Sequence, residues 1–266
     1  MIVFKKSIIF IFLLLSFSMS AKDIRNDSVS KNKINFLDNS ILFGVSYAYQ
    51  QPSGMLLKRF GFSNSLGFST SYKFGPNIFI QGGIDVFFGS DVKETGILDS
   101  ITGPSGQLID AQGNLISVKL YQRGYVWHFN IGKIIPLSRM NLNSGLLFTG
   151  GCGFMQHKIK FQYSRGTVPQ LDGQNFMGYD RLTNGLMLRG FVGYQRIDPL
   201  GMFNYFAGVE FLQGYTYNRR SLNYDTRVRE LARRNDILTG IKIGIMVKIS
   251  GKQAGRKKGE NDNFFE

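Results

Sequence analysis

Eight stretches between Ile41 and Ile249 repeat one pattern: bulky apolar or aromatic side chains alternate with glycine, serine, alanine and isolated charges. Only an extended strand sends successive side chains to opposite faces, so a two-residue period commits each stretch to β structure. It excludes a helix, whose period is 3.6 residues. The first stretch is the cleanest. Ile41, Phe43, Val45, Tyr47 and Tyr49 share one face, and Leu42, Gly44, Ser46, Ala48 and Gln50 share the other. Each stretch holds roughly ten residues, the length of a tilted strand that crosses a bilayer.

The connections alternate in length. Compact turns are expected at Gly75-Pro76-Asn77, at Pro136 to Ser138 and at Asp198-Pro199-Leu200-Gly201, where proline, asparagine and glycine supply turn geometry. Long polar connections separate the other pairs. An even strand number with alternating long and short links predicts an all-β, eight-stranded antiparallel up-and-down transmembrane β-barrel over 39–249. Its long loops face the outside and its short turns the periplasm. A soluble barrel of the lipocalin kind also alternates, but its water-facing wall carries Lys, Glu and Thr. Here the less apolar face is mostly Gly, Ser and Ala, which suits a narrow lumen. Aromatics gather near strand ends, at Tyr47, Tyr49, Tyr72, Phe74, Tyr194, Tyr205, Tyr215 and Tyr217, as interfacial girdles do.

The beginning of the chain reads as an export signal. Lys5 and Lys6 precede an apolar run from Ile8 to Leu15, and the small residues Ser18, Ser20 and Ala21 follow it. That run falls short of the roughly 20 residues of a spanning helix, and no later segment is long and apolar enough to be one. The expected organisation is a signal over 1–20, a periplasmic segment over 21–38, the barrel, and a basic, disordered periplasmic tail over 250–266. Cys152 is the only cysteine, so no intrachain disulfide forms. The net charge is +14, or two less once Lys5 and Lys6 leave with the signal. In an exported chain this favours anionic lipid head groups over nucleic acid.

Five inward residues stand out, because charge in a narrow lumen must be paired. Counted from the short-turn end, Asp85, Arg189, Glu210 and Lys242 share nearly one height. Glu210 is flanked by Arg189 and Lys242, while Asp85 approaches from across the barrel beside His128. The expectation is a compensating plug, and Glu210→Ala should lower stability by stranding Arg189 and Lys242. A proton or ion path is the functional alternative. A second cluster occupies the loop from Asn218 to Asn235, where Arg219, Arg220, Arg227, Arg229, Arg233 and Arg234 face only Asp225 and Glu230. Guanidinium forks fit lipopolysaccharide phosphate or an acidic protein surface.

Catalytic spacing is absent from the sequence. Neither His128 nor His157 stands in a nucleophile elbow or a zinc-binding helix motif, and no metal-spaced cluster or phosphate-cradling loop is present. His157 with Ser164, Asp172 and Asp180 is the one conceivable surface hydrolase or acyl-transfer site. No cofactor is expected.

With its signal, eight alternating strands and two compact turns, the chain resembles the small outer-membrane barrels of the OmpA/OmpX type. In texture it is similar to the Bacteroidota outer-membrane barrel group that includes PorT-like proteins. The resemblance covers nearly the whole mature chain and rests on architecture rather than a diagnostic motif. It implies an integral outer-membrane protein with an accessory role in secretion or envelope assembly, contacting lipid and other outer-membrane or periplasmic proteins. One departure is that strand eight ends near Ile249 and a basic tail follows, where such barrels often finish on a terminal aromatic. The expected function is therefore a non-enzymatic barrel acting through its loops or outer wall. A surface enzyme acting on lipid or peptide, or a narrow channel, is the alternative.

Overall fold

A computed structural model describes residues 39–250, apart from 76, 104–105, 139–140, 164–165, 167, 174 and 199–202. The expected signal and the 21–38 segment lie outside these residues, as do the tail from 251 onward and Ser164. The eight strands are β1 Ser40–Gly54, β2 Ser63–Lys73, β3 Ile78–Gly89, β4 Val118–Pro136, β5 Gly145–Tyr163, β6 Thr183–Arg196, β7 Asn204–Asn218 and β8 Arg234–Ser250. Each pairs antiparallel with its chain neighbours, and β8 closes on β1 through pairs running from Ser40 with Ser250 to Gly54 with Asp236. The ring is closed, so no strand edge is left unpaired.

Short links join β2 to β3, β4 to β5 and β6 to β7, and both barrel termini leave at that end. In the first of these links Asn77 holds φ at +62°, a left-handed conformation that asparagine tolerates. The first three long links carry short 3-10 turns, and the one after β3 adds a two-stranded ribbon of Leu108–Ile109 with Leu115–Ile116.

The strands are longer than the ten-residue expectation. They run from 11 residues in β2 to 19 in β4 and β5. The physical reason is a change of face along the strands. Near the short turns the outward residues are mainly apolar, with Lys133 an exception beside Ile131: Ile41 to Tyr49 on β1, Trp127, Phe129 and Ile131 on β4, Leu186 and Leu188 on β6, and Ile241 to Ile249 on β8. About eight residue steps of a strand tilted near 40° give this band a height of roughly 20 Å. Above it the outward face turns polar, with Gln51 beside Thr239 and Gln156 beside Asn184. On β5 the pattern inverts outright. Gln156, Lys158, Lys160 and Gln162 now point out, while Met155, His157 and Ile159 are buried inside.

The interior is layered. An apolar layer near the short turns contains Leu42, Phe79, Ile134, Leu147, Phe191, Ile197 and Phe206, with Phe191 and Phe206 edge to face at 5.7 Å. A second apolar layer near the long loops packs Phe87, Val126, Met155, Met187, Leu212 and Leu238 against the loop residues Leu56, Phe60, Ile97 and Leu108. Charged groups occupy the level between them.

Candidate functional site

That middle level is built by inward positions on six strands, β1, β3, β4, β6, β7 and β8. Arg189 Nη1 donates to Asp85 Oδ2 at 2.8 Å, and Nη2 donates to Glu210 Oε2 at 2.9 Å. Lys242 Nζ lies 3.0 and 2.9 Å from the two Asp85 oxygens and 3.4 Å from Glu210 Oε2. Gln50 Nε2 completes Glu210 at 2.7 Å. His128 Nε2 is 3.6 Å from Asp85, and its Nδ1 meets Asn130 Nδ2 at 2.8 Å. The five residues singled out by height are thus brought together, all less than a tenth exposed. Two cations face two carboxylates, so the cluster balances without counting His128. Gly67 makes room for it, since a β-carbon there would fall 1.8 Å from Asp85 Oδ1. Beneath the cluster a space of about 30 Å³, lined in part by Ser46, Ser71, Gln81 and Thr149, has room for one or two waters.

A second ionic cluster, which the sequence pattern does not reveal, ties the long loops together. Arg59, from the link after β1, is only 3% exposed. Its Nε donates to Glu94 at 2.6 Å, Nη1 to Thr183 at 3.1 Å and Nη2 to Glu230 at 3.3 Å. Arg181 donates through Nε to Glu94 at 3.0 Å and through Nη2 to Asp225. All four long connections therefore meet in one clasp. Arg181 does so with φ at +51°, a backbone conformation rare for a residue with a β-carbon. Burial alone would raise the carboxyls of Glu94 and Glu230. Arg59 with Arg181 outweighs it at Glu94, and Arg234 with Arg59 at Glu230, so both sit below the ordinary carboxylate range.

The six arginines of the last loop separate into two groups. Arg220 is spent on Asp180, with Nε at 2.7 Å from Oδ1. Arg234 is buried, donating to Glu230 at 2.7 Å and to the Met55 carbonyl at 3.1 Å. Neither is free to hold an outside ligand, which corrects the reading of all six as one anion-binding surface. Arg219, Arg227, Arg229 and Arg233 remain exposed, with Arg233 stacked on Tyr215 at 4.3 Å.

The conceivable hydrolase site does not form. His157 is fully buried, faces the lumen, meets Asp236 Oδ2 at 3.0 Å and packs edge to face on Phe60. Asp180 is engaged by Arg220, and Asp172 bonds the backbone of Gly173 next to it. Among the described residues no His, Cys, Asp and Glu group could hold a metal ion. Cys152 is exposed on the outer wall of β5.

No family model matches the chain, and no curated protein does. Among solved structures, Ail of Yersinia pestis in complex with the heparin analogue sucrose octasulfate is 9% identical. The match covers 79% of this chain and 99% of that one, with a TM-score of 0.43. Neisserial surface protein A is 13% identical, with 79% and 97% covered and a TM-score of 0.39. OprG from Pseudomonas aeruginosa is 11% identical, with 79% and 95% covered and a TM-score of 0.35. At such identities and scores the likeness says nothing of ligand or role.

Proposed function

We propose that this protein is an integral outer-membrane barrel without enzymatic activity. Its lumen is plugged, and its clasped loops or outer wall serve as an accessory surface in an envelope or secretion assembly of the PorT-like kind. One observation carries the membrane part: the change of face along β4 and β5. The same strands are apolar outward beside the short turns and polar outward, apolar inward, further up, which is what a hydrocarbon layer ending at that height demands. Ser40 pairs with Ser250 at the short-turn end, so both termini leave on one side, the periplasmic side in this reading.

A plug is favoured over a channel because two apolar layers and a charge-balanced level stack along the axis. An eight-stranded ring has room for side chains and little else. A surface enzyme has no support in His157, which no substrate reaches. The test is reconstitution of the purified chain. It should require detergent or lipid to stay folded and monomeric, and it should give no unitary conductance in planar bilayers. A monomer folded in plain buffer would overturn the membrane reading, and steady ion conductance would overturn the plug. Cross-linking followed by mass spectrometry on the intact envelope tests the accessory role, where recovery of the barrel alone would count against it.

A further inference from the structure

We propose that the outward wall of β4 and β5, just above the apolar band, binds the phosphate head group of an anionic lipid in the outer leaflet. The proposal rests on the membrane reading and adds a site and a ligand class to it. Tyr125 is the last aromatic of the band on β4, and the next outward residues are Arg123, Tyr121 and Lys119. Their cross-strand partners on β5 are basic where it matters. Arg123 stands directly opposite Lys158, and Tyr121 opposite Lys160. Like charges facing each other across a sheet repel unless something anionic lies over them. Among the described residues, none of Lys119, Arg123, Lys158 and Lys160 has a carboxylate within 4.0 Å. The lumen cations Arg189 and Lys242, by contrast, have their acids beside them.

The cations are also held in place. The Arg123 guanidinium lies over the rings of Tyr121 at 5.3 Å and Phe88 at 6.0 Å, and Lys158 Nζ lies over Phe176 at 5.6 Å. They stay against the wall, at the level where the apolar surface ends, with their stems along it. A ligand here must be anionic and must continue downward as something apolar, past Tyr125 and Trp127. A phosphorylated lipid meets both demands, whereas a soluble phosphate meets only the first.

Trp127 is the only tryptophan, is 59% exposed and sits on β4 below Arg123, so it reports which lipid occupies this wall. The full chain is reconstituted in phosphatidylcholine vesicles doped with chain-brominated phosphatidic acid or chain-brominated phosphatidylcholine, and quenching of Trp127 is compared at equal mole fraction. Each basic side chain at a membrane surface is worth roughly a fivefold preference, so apparent association of phosphatidic acid should be at least fivefold stronger. Arg123→Gln with Lys158→Gln should abolish most of it, as should Lys119→Gln with Lys160→Gln. Lys133→Gln, outward near the short turns, should leave it unchanged. Equal quenching by both lipids would overturn the proposal and leave the membrane reading intact, and so would a preference erased by inorganic phosphate in the buffer. No quenching by either lipid would remove the membrane reading itself.

Discussion

Arg189 on β6 reaches across the lumen to Asp85 on β3, 2.8 Å from Nη1 to Oδ2, although 104 residues separate them in the chain. Its other arm holds Glu210, and Lys242 touches both carboxylates, so the four side chains form a closed loop of alternating charge. A buried ion pair adds little net stability over an apolar replacement, but a broken one leaves a charge stranded.

Single removal and matched removal should therefore differ in cost. Asp85→Ala should cost about 3 to 5 kcal/mol in urea unfolding from detergent micelles, because Arg189 and Lys242 then share one acid. Adding Lys242→Ala restores balance around Arg189 and Glu210, and the double variant should recover about 1 to 3 kcal/mol of that loss. Strict additivity of the two changes would show that the groups act separately.

The loop clasp should be sensitive to acid. Glu94 and Glu230 have carboxyls held below their ordinary value of about 4.3, so their ion pairs are fully formed above that pH and are lost as pH falls through the lower folded value. A nitroxide at Thr226→Cys, in a Cys152→Ser background, should report an ordered loop at neutral pH that becomes mobile only below about pH 4. Glu94→Gln should raise mobility already at pH 7. A loop equally mobile at all pH values would refute the clasp.

What the sequence discloses follows from locality. Alternation in Ile41 to Gln50 depends only on neighbours, and the common height of Asp85, Arg189, Glu210 and Lys242 follows from counting residues up from the turns. The clasp needs Arg59 to find Glu230, 171 residues away, through loops whose path no period dictates. Strand ends were hidden for a different reason. Above Tyr125 the outward face gains Arg123 and Lys119 while the inward face turns apolar, so a search for greasy-out alternation stops there although the backbone continues. That inversion, with Met155 and Ile159 alternating with Lys158 and Lys160, is the signal that would have found the full length of β5.

The histidines should be chemically silent. His157 is fully buried against Phe60, and His128 lies beneath the charge cluster. Diethyl pyrocarbonate should modify neither in the folded protein and both after unfolding, read by mass spectrometry. Rapid modification of His157 in the folded state would reopen the case for a surface site there.

Two glycine substitutions separate the crowded lumen from the open wall. At Gly67 an added methyl would meet Asp85 Oδ1 at 1.8 Å and Ser46 Oγ at 2.6 Å, and Asp85 cannot retreat without leaving Arg189 or Lys242. Overpacking of this kind costs about 1 to 3 kcal/mol, so Gly67→Ala should lower the urea midpoint clearly. Gly150 faces outward opposite Gly190, with no atom within 4 Å of its would-be β-carbon. Gly150→Ala should change stability by no more than about 0.5 kcal/mol in the same micelles, or raise it slightly, because alanine loses less backbone freedom on folding. Equal effects at the two positions would mean that the lumen around Asp85 is looser than its contacts imply, and the plug would lose its structural basis.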